Sequence, residues 1–365
     1  MTININIGAS GQSYCALVGV GLLGQIPDLL DEYAPAYRYA VISDAQVSEL
    51  YAEEVVSSCR SSGKNVELHS FRAGQASKTR ENWSKLTDSL LGTGHGRDSC
   101  IIALGGGVTG DLAGFIAATF LRGIPLVQVP TTYLAMIDAA IGGKTGVDTH
   151  FGKNLVGAFH APKCVIADPG VLSTLSIQER STGLVEAFKH GAILDAEYYD
   201  QLCTGTDLLL SADPETAEAA VTASIRLKGQ VVTKDELENG YRQILNFGHT
   251  IGHALEAASE YKLNHGSAVA AGMVLEAQLG ELLGVTEIGT SQALYSDLKN
   301  LGIRIEAVSQ LDPKAIMSFL GLDKKTRMGR SRYVLLRSIG EVEDSGGWSR
   351  EVDESLVREV INDIR

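Results

Sequence analysis

Within RQILNFGHTIGHALE, residues 242–256, a guanidinium, a carboxamide and two imidazoles stand at positions 242, 246, 249 and 253. Spacings of three and four bring such groups to one face of a helix. A stripe of Arg242, Asn246, His249 and His253 is too polar for packed core and too regular for a random solvated surface. It suits the wall of a site for a metal ion and an anionic, hydroxyl-rich substrate. His249 and His253 share the i, i+4 spacing of the HExxH metal helix. The residues between them are Thr250, Ile251 and Gly252, so the glutamate base of a metalloprotease is missing. A third imidazole, His265, opens the next helical stretch, NHGSAVAAGM. Glu186 and Lys189 lie three apart in GLVEAFKHG, where a surface ion pair is the plainest reading. One carboxylate with two imidazoles is also a frequent catalytic zinc set that leaves positions open to substrate. Spacing alone leaves open which two of the three histidines bind.

Phosphate chemistry has its own candidates. GGGVTGD (105–111) follows an apolar run and opens a small-residue helix. Glycines let the backbone approach a phosphate, and the helix N-terminus offers N–H donors and a positive dipole end. The turn departs from the usual GxGxxG at a first strand, and glycine-rich strand–helix turns are common without any nucleotide. Asp44, at the end of the first clear strand, suits either ribose hydroxyls or a helix N-cap. DAAIGGKTGVDTHFGKN (138–154) holds Asp138, Lys144, Lys153 and Asn154 in a glycine-rich, non-periodic stretch that reads as a loop. It follows the apolar run PLVQVP and the threonines 131 and 132, and α/β folds bind ligands at such strand ends. DKKTRMG (323–329) is a basic segment in an acidic chain. Arg122, Lys144, Lys153, Lys189, Lys228, Arg242, Lys324 and Lys325 fall in or near these segments, a gathering suited to a multiply charged anion.

Such groups need elements to hold them. The first half alternates strand-like runs with helical patterns: strands at 37–43, 65–70, 99–107, 125–130 and 163–169, helices at 46–62, 78–91 and after the glycine turn. This alternation predicts a mostly parallel sheet covered by helices. Helical periods then dominate at 178–199, 214–234, 247–261, 266–284 and 290–301, with a hairpin at 331–343. A chain of 365 residues favours two domains, set here at 1–177 and 178–365. With 44% hydrophobic and 21% charged residues the composition is that of a soluble globular protein, and the net charge of −13 argues against nucleic acid or an anionic membrane as partner. No apolar run reaches the ~18 residues of a membrane span. MTININIGAS lacks the basic and apolar regions of a signal peptide. The five cysteines are scattered without CxxC spacing, which predicts free thiols in a reducing cytosol.

The ordered motifs GGGVTGDLAGF, RGIPLVQVPTT, DAAIGGKTGVD, GKNLVGAFHAP, LVEAFKHG, LNFGHTIGHALE and DKKTRMG resemble those of the 3-dehydroquinate synthase family of sugar-phosphate cyclases, from about Asp44 to Glu343. The resemblance implies an α/β, Rossmann-like NAD-binding domain followed by an all-α domain. It implies conversion of 3-deoxy-D-arabino-heptulosonate 7-phosphate to 3-dehydroquinate and phosphate by transient oxidation, phosphate elimination, re-reduction, ring opening and aldol closure. By matching position, Glu186, His249 and His265 would hold zinc, or cobalt, and His253 would face substrate instead. Asp138, Lys144, Asn154, Lys189, Lys228, Arg242, Asn246 and one of Lys324 and Lys325 match the substrate site. Of these, Asp138, Lys144, Lys189 and Asn246, with His253, would carry catalysis. Arg122 matches an arginine given across a homodimer interface. The NAD site would draw on Asp44, Gln75, Lys78, Gly105, Gly106, Gly107, Val108, Thr109, Asp111, Thr131, Thr132, Lys144, Lys153, Leu172 and Thr174. Gln75 departs from the family, which carries glutamate there, and an uncharged carboxamide binds hydroxyls without the acid's charge. Rival readings are an aminodehydroquinate or 2-deoxy-scyllo-inosose synthase, a metal-dependent polyol dehydrogenase, and a non-catalytic binding homologue. Arg242 and Asn246 follow the dehydroquinate pattern, which opposes the inosose synthase and leaves the amino variant open. The lysine-rich loop at 144–153 opposes the dehydrogenase, and the intact metal and lysine positions oppose the last.

Overall fold

The structure, a computed structural model, describes residues 2–9, 12–326 and 331–363. It divides into two compact units, Met1–Leu175 with Pro214–Glu236, and Ser176–Asp213 with Leu237–Arg365.

The first unit is built on strands β1 (Ile3–Ala9), β2 (Gln12–Val18), β3 (Arg38–Asp44), β4 (Val66–Phe71), β5 (Ser99–Gly105), β6 (Leu126–Pro130) and β9 (Cys164–Ala167), in the order β1-β2-β9-β6-β5-β3-β4. Every pairing is parallel except the β1–β2 hairpin. Central strands buried on both faces need unbroken apolar runs, and the β5 sequence SCIIALG is buried at every position. At the sheet edge, ININI in β1 alternates instead, with Ile5 and Ile7 buried and Asn4 and Asn6 exposed. That period of two is legible in the sequence. A separate antiparallel pair, β7 (Lys144–Thr149) and β8 (Gly152–Phe159), occupies the stretch expected to be a loop. Its glycines serve close backbone approach: a Cβ at Gly146 would stand 2.7 Å from the Val156 carbonyl oxygen.

The helix Pro214–Lys234 corrects the expected division at 177/178, because it packs on the first unit. Gly229 leaves room for Ile7, the Val20 N–H donates to Glu218 at 3.2 Å, and Lys228 reaches Asp138. The second unit is mainly helical, with Ile177–Leu194, His249–Ala258, His265–Leu282, Thr290–Asn300, Pro313–Thr326 and Glu354–Asn362 among its helices. Two short strand pairs join them. The expected 331–343 hairpin shrinks to Leu336–Ser338 against Glu341–Val342, while Arg332–Tyr333 pairs with Arg350–Glu351. None of the described helices is long and apolar enough to cross a membrane.

Candidate active site

In the first unit, the parallel register brings Asp44, Gly105, Pro130 and the segment after Ala167 to the carboxyl ends of neighbouring strands. Gly105, Gly106 and Gly107 turn from β5 into the helix Gly107–Thr119, whose N-terminus has no side-chain cap. Its first N–H groups, those of Val108 and Thr109 included, therefore face the turn as donors. A Cβ at Gly105 would lie 2.5 Å from Thr109 Oγ1, and one at Gly106 3.2 Å from Thr132 Cγ2. The Thr131 N–H donates to the Gly105 carbonyl at 3.0 Å, and Thr131 Oγ1 is buried without a hydrogen-bond partner. Thr132 Oγ1 accepts from the Ala135 N–H at 3.2 Å. Asp44 does cap a helix: Oδ1 accepts from the Gln46 and Val47 N–H groups at 3.0 and 3.1 Å. Its Oδ2 accepts from Thr109 at 3.2 Å, so the cap is also tied to the glycine turn. Leu172 is buried in the helical turn Pro169–Thr174, and Thr174 Oγ1 meets the Tyr51 hydroxyl at 2.8 Å. This cradle of small residues, an uncapped helix start and an orphaned hydroxyl fits a dinucleotide pyrophosphate.

Lysine networks flank the cradle. Buried Lys78 donates to both Asp111 and Asn154. Burial pushes the Asp111 carboxyl up, and Lys78 opposes that shift. Gln75 donates to Asp148 at 2.6 Å, and the same carboxylate accepts from the Asn154 N–H at 2.9 Å. Asn154 has φ 57°, a left-handed conformation that asparagine tolerates better than most residues. Lys228 donates to the Asp138 carboxylate and to its carbonyl, both at 2.6 Å. Lys144 begins β7 and is exposed, and Lys153 lies half-buried in β8. Arg122 is exposed on a turn where it and Leu121 have φ of 71° and 50°. Two consecutive left-handed, non-glycine residues store strain, a feature concentrated at functional positions.

In the second unit, Glu186, His249 and His265 come together from three helices, with potential ligand atoms within 4.8 Å of one another. Glu186 is 1% exposed and ion-paired to Lys189. His249 Nε2 lies 3.5 Å and His265 Nε2 3.6 Å from the same oxygen, Glu186 Oε1. The other ring nitrogens are engaged: His249 Nδ1 at 3.2 Å from the Phe247 carbonyl, His265 Nδ1 at 3.5 Å from Glu256 Oε2. With an ion bound, donation from each Nδ1–H would leave the Nε2 lone pairs free to ligate it, the outer-shell arrangement of metal-ligating histidines. Burial and Lys189 hold the His249 imidazole well below its ordinary value. Burial would lower His265 too, but the Glu186 and Glu256 carboxylates raise it to about 9. Two carboxylates and two imidazoles around one point make a site for positive charge, and the donor set fits zinc or cobalt.

Three backbone contacts set this geometry. A Cβ at Gly266 would collide with the Thr182 carbonyl, and one at Gly272 with that of Gly248. At Gly252 it would come within 3.1 Å of the Ala268 carbonyl oxygen. Glycine thus lets the ligand helices touch backbone to backbone. Fully buried Glu276 accepts from the Gly248 and Ile251 N–H groups at 2.8 and 3.1 Å, capping the helix that starts at His249. Neither Glu256 nor Glu276 was singled out from sequence. Each looks like an ordinary helical acid, and only the fold reveals its partner.

His253 is exposed and lines a cavity of about 150 Å³ with Asn246, His249, Thr250, Phe319 and Leu320. It also forms an overlapping group with Glu256 and His265. Glu256 Oε2 lies 3.5 Å from His265 Nδ1, where it can serve as a partner of that ring. Asn246 donates to Glu238 at 2.9 Å, and Arg242 is 1% exposed. Lys324 and Lys325 fall outside the described side chains. A larger cavity, about 900 Å³, opens beside Ser181, Leu301 and Arg304 and contains none of the expected site residues.

Residues 68–182 match the family described as 3-dehydroquinate synthase N-terminal, and residues 183–326 that described as 3-dehydroquinate synthase C-terminal. A 3-dehydroquinate synthase of Xylella fastidiosa (strain M23) is 41% identical over 356 residues, 95% of each chain. A solved 2-deoxy-scyllo-inosose synthase, complexed with carbaglucose-6-phosphate, NAD+ and Co2+, superimposes with a TM-score of 0.90 at 26% identity, covering 99% of both chains. The 2-epi-5-epi-valiolone synthase of Streptomyces hygroscopicus subsp. jinggangensis 5008, with NAD+ and Zn2+ bound, gives 0.88 at 26% identity, covering 98% of both.

Proposed function

Because the chain belongs to the 3-dehydroquinate synthase family, we propose that it converts 3-deoxy-D-arabino-heptulosonate 7-phosphate to 3-dehydroquinate and phosphate, using NAD and one zinc-class ion. The observation that carries the metal assignment is the convergence of His249 Nε2 and His265 Nε2 on Glu186 Oε1, with both Nδ1 atoms engaged elsewhere. The bound ion would acidify neighbouring substrate hydroxyls, and NAD would take up and return a hydride in each turnover.

The chain's own residues then have distinct tasks. The glycine turn, with Thr131 and Thr132, receives the cofactor pyrophosphate. Lys189 neutralises Glu186 in the buried pair and donates to substrate oxygens when the ion takes over the carboxylate. Lys228 and Asp138 form a positioned acid–base pair. Arg242 offers a planar guanidinium for the substrate carboxylate, a two-pronged geometry that lysine cannot reproduce. His253, Asn246, Lys144 and Asn154 orient hydroxyls and phosphate, with Lys324 or Lys325 as a further cation. The enzyme works in the cytoplasm as a homodimer, with Arg122 given to the neighbouring subunit.

The test is to mix the protein with the heptulosonate phosphate, catalytic NAD and zinc, and follow phosphate beside NADH absorbance. Phosphate release many times beyond the cofactor present, without net NADH, is expected. Stoichiometric NADH would replace this reading with a polyol dehydrogenase, and absence of phosphate release would remove it.

A further inference from the structure

The first unit contains a second group of potential metal-ligating side chains, which neither the glycine turn nor the proposed reaction uses. Glu67 and His69 stand two apart on edge strand β4, so they share one face of the sheet. Phe71 continues that face and packs with Leu86 and Leu90 of the helix Arg80–Gly92. The helix ends in a hydrogen-bonded turn. The Gly94 N–H donates to Leu91 at 3.1 Å and the His95 N–H to Leu90 at 3.0 Å, with Gly94 at φ 76°. This closure folds His95 back under the helix end, where its ring centroid lies 5.5 Å from that of His69.

Both imidazoles are buried, 6% and 5% exposed. His69 Nδ1 meets Ser89 Oγ at 2.9 Å, and His95 Nδ1 meets Thr93 Oγ1 at 3.0 Å. The Thr93 hydroxyl also lies 2.9 Å from the Ser89 carbonyl and 3.2 Å from that of Leu90, to either of which it can donate. When it does, it accepts from the His95 Nδ1–H, and Nε2 then carries the lone pair. Both Nε2 atoms, His69 and His95, are buried without any hydrogen-bond partner. Glu67, His69 and His95 each offer one ligand atom, and the three atoms lie within 4.8 Å of one another. The Glu67 side chain is half-buried on the same strand face, and an ion with bonds of ~2.0–2.2 Å would draw the three atoms closer together.

The geometry points to a second divalent transition-metal site, with Glu67, His69 and His95 as ligands for a zinc-class ion that clips β4 to the end of the helix Arg80–Gly92. One carboxylate and two imidazoles suit zinc or cobalt, and an oxygen-seeking ion such as magnesium would not choose them. The site is independent of the reaction proposed above. It is tested with that reaction's metal cluster removed, so neither result decides the other.

The experiment is equilibrium dialysis against Co2+, with bound cobalt counted per chain and its visible absorption recorded. Wild-type protein should hold two ions. His249→Ala/His265→Ala should hold one, with its melting temperature raised by added cobalt, because an ion bound only to the native state stabilises it. Adding His95→Asn should take the count to zero and abolish that rise. Glu67→Gln removes one half-exposed ligand without disturbing the core, and should weaken cobalt binding at least tenfold if His95→Asn does not fold. A folded His249→Ala/His265→Ala chain that binds no cobalt overturns the site. So does a count unchanged by both His95→Asn and Glu67→Gln.

Discussion

At the scale of residues, the proposed metal centre depends on what stands behind the ligands. Glu256 engages His265 Nδ1 and fixes which nitrogen faces Glu186. Glu256→Gln keeps the size and removes the charge, so zinc affinity should fall about 10–100-fold, the usual effect of losing such an outer partner. Titration against a competing chelator measures it, with activity recovered at excess zinc. His253→Ala is the control: the ion should stay while turnover falls. Glu276 makes a pH prediction. Burial raises its carboxyl to about 8, against its backbone donors, whereas an unfolded glutamate titrates near ~4.3. A raised carboxyl means that the native state holds the proton longer. Its contribution is therefore full below about pH 4 and lost as pH rises to about 8. Metal-stripped wild type should lose stability to urea across that window more steeply than Glu276→Gln. Equal slopes would show that Glu276 titrates normally.

At the scale of elements, backbone contact is what aligns the ligand helices. Gly272 lies against the Gly248 carbonyl, one residue before His249. Gly272→Ala must push His249–Ala258 away from His265–Leu282, and overpacking of this kind costs about 1–3 kcal/mol. The expected result is a lowered melting temperature together with weaker zinc binding. Normal zinc affinity in a folded variant would show that the ligands tolerate the displacement. The pair Gln75 and Asp148 belongs to the same scale, since it links the segment after β4 to the β7–β8 hairpin. From sequence, restoring glutamate at 75 would be expected to tighten NAD. The structure changes that expectation, because Gln75 donates to Asp148 at 2.6 Å and an acid there would face a second acid. Gln75→Glu alone should leave NAD affinity unimproved by calorimetry, and Gln75→Glu/Asp148→Asn should improve it. Tighter binding by the single variant would show that Asp148 moves aside without penalty.

At the scale of the whole molecule, Arg122 makes the assembly testable. It is exposed on a strained turn, away in sequence from the other substrate segments. If it serves a neighbouring subunit, inactive Arg122→Ala and inactive Lys189→Ala chains should regain partial activity when mixed. Hybrid dimers would then hold one site with both residues intact. No recovery after proven subunit exchange, or a fully active monomer by sedimentation, would count against sharing. Much of the architecture was legible in the sequence because its signals are local. Apolar runs such as SCIIALG mark buried parallel strands, and GGGVTGD marks a strand–helix turn wherever it lies. Ligand types were legible too, since imidazole, carboxylate and guanidinium carry their chemistry into any fold. Spacing could not choose among His249, His253 and His265, because that choice depends on distances between helices far apart in the chain. The same holds for Glu256 behind His265, Glu276 at the helix cap, and His69 beside His95. It also holds for the helix Pro214–Lys234, whose periodicity gives its length but not the sheet it packs on. Sequence by itself determined the elements and the donor atoms, through short-range backbone preference and residue chemistry. Tertiary structure alone decided which donors meet, since hydrogen bonds and coordination act through a few ångströms of space rather than along the chain.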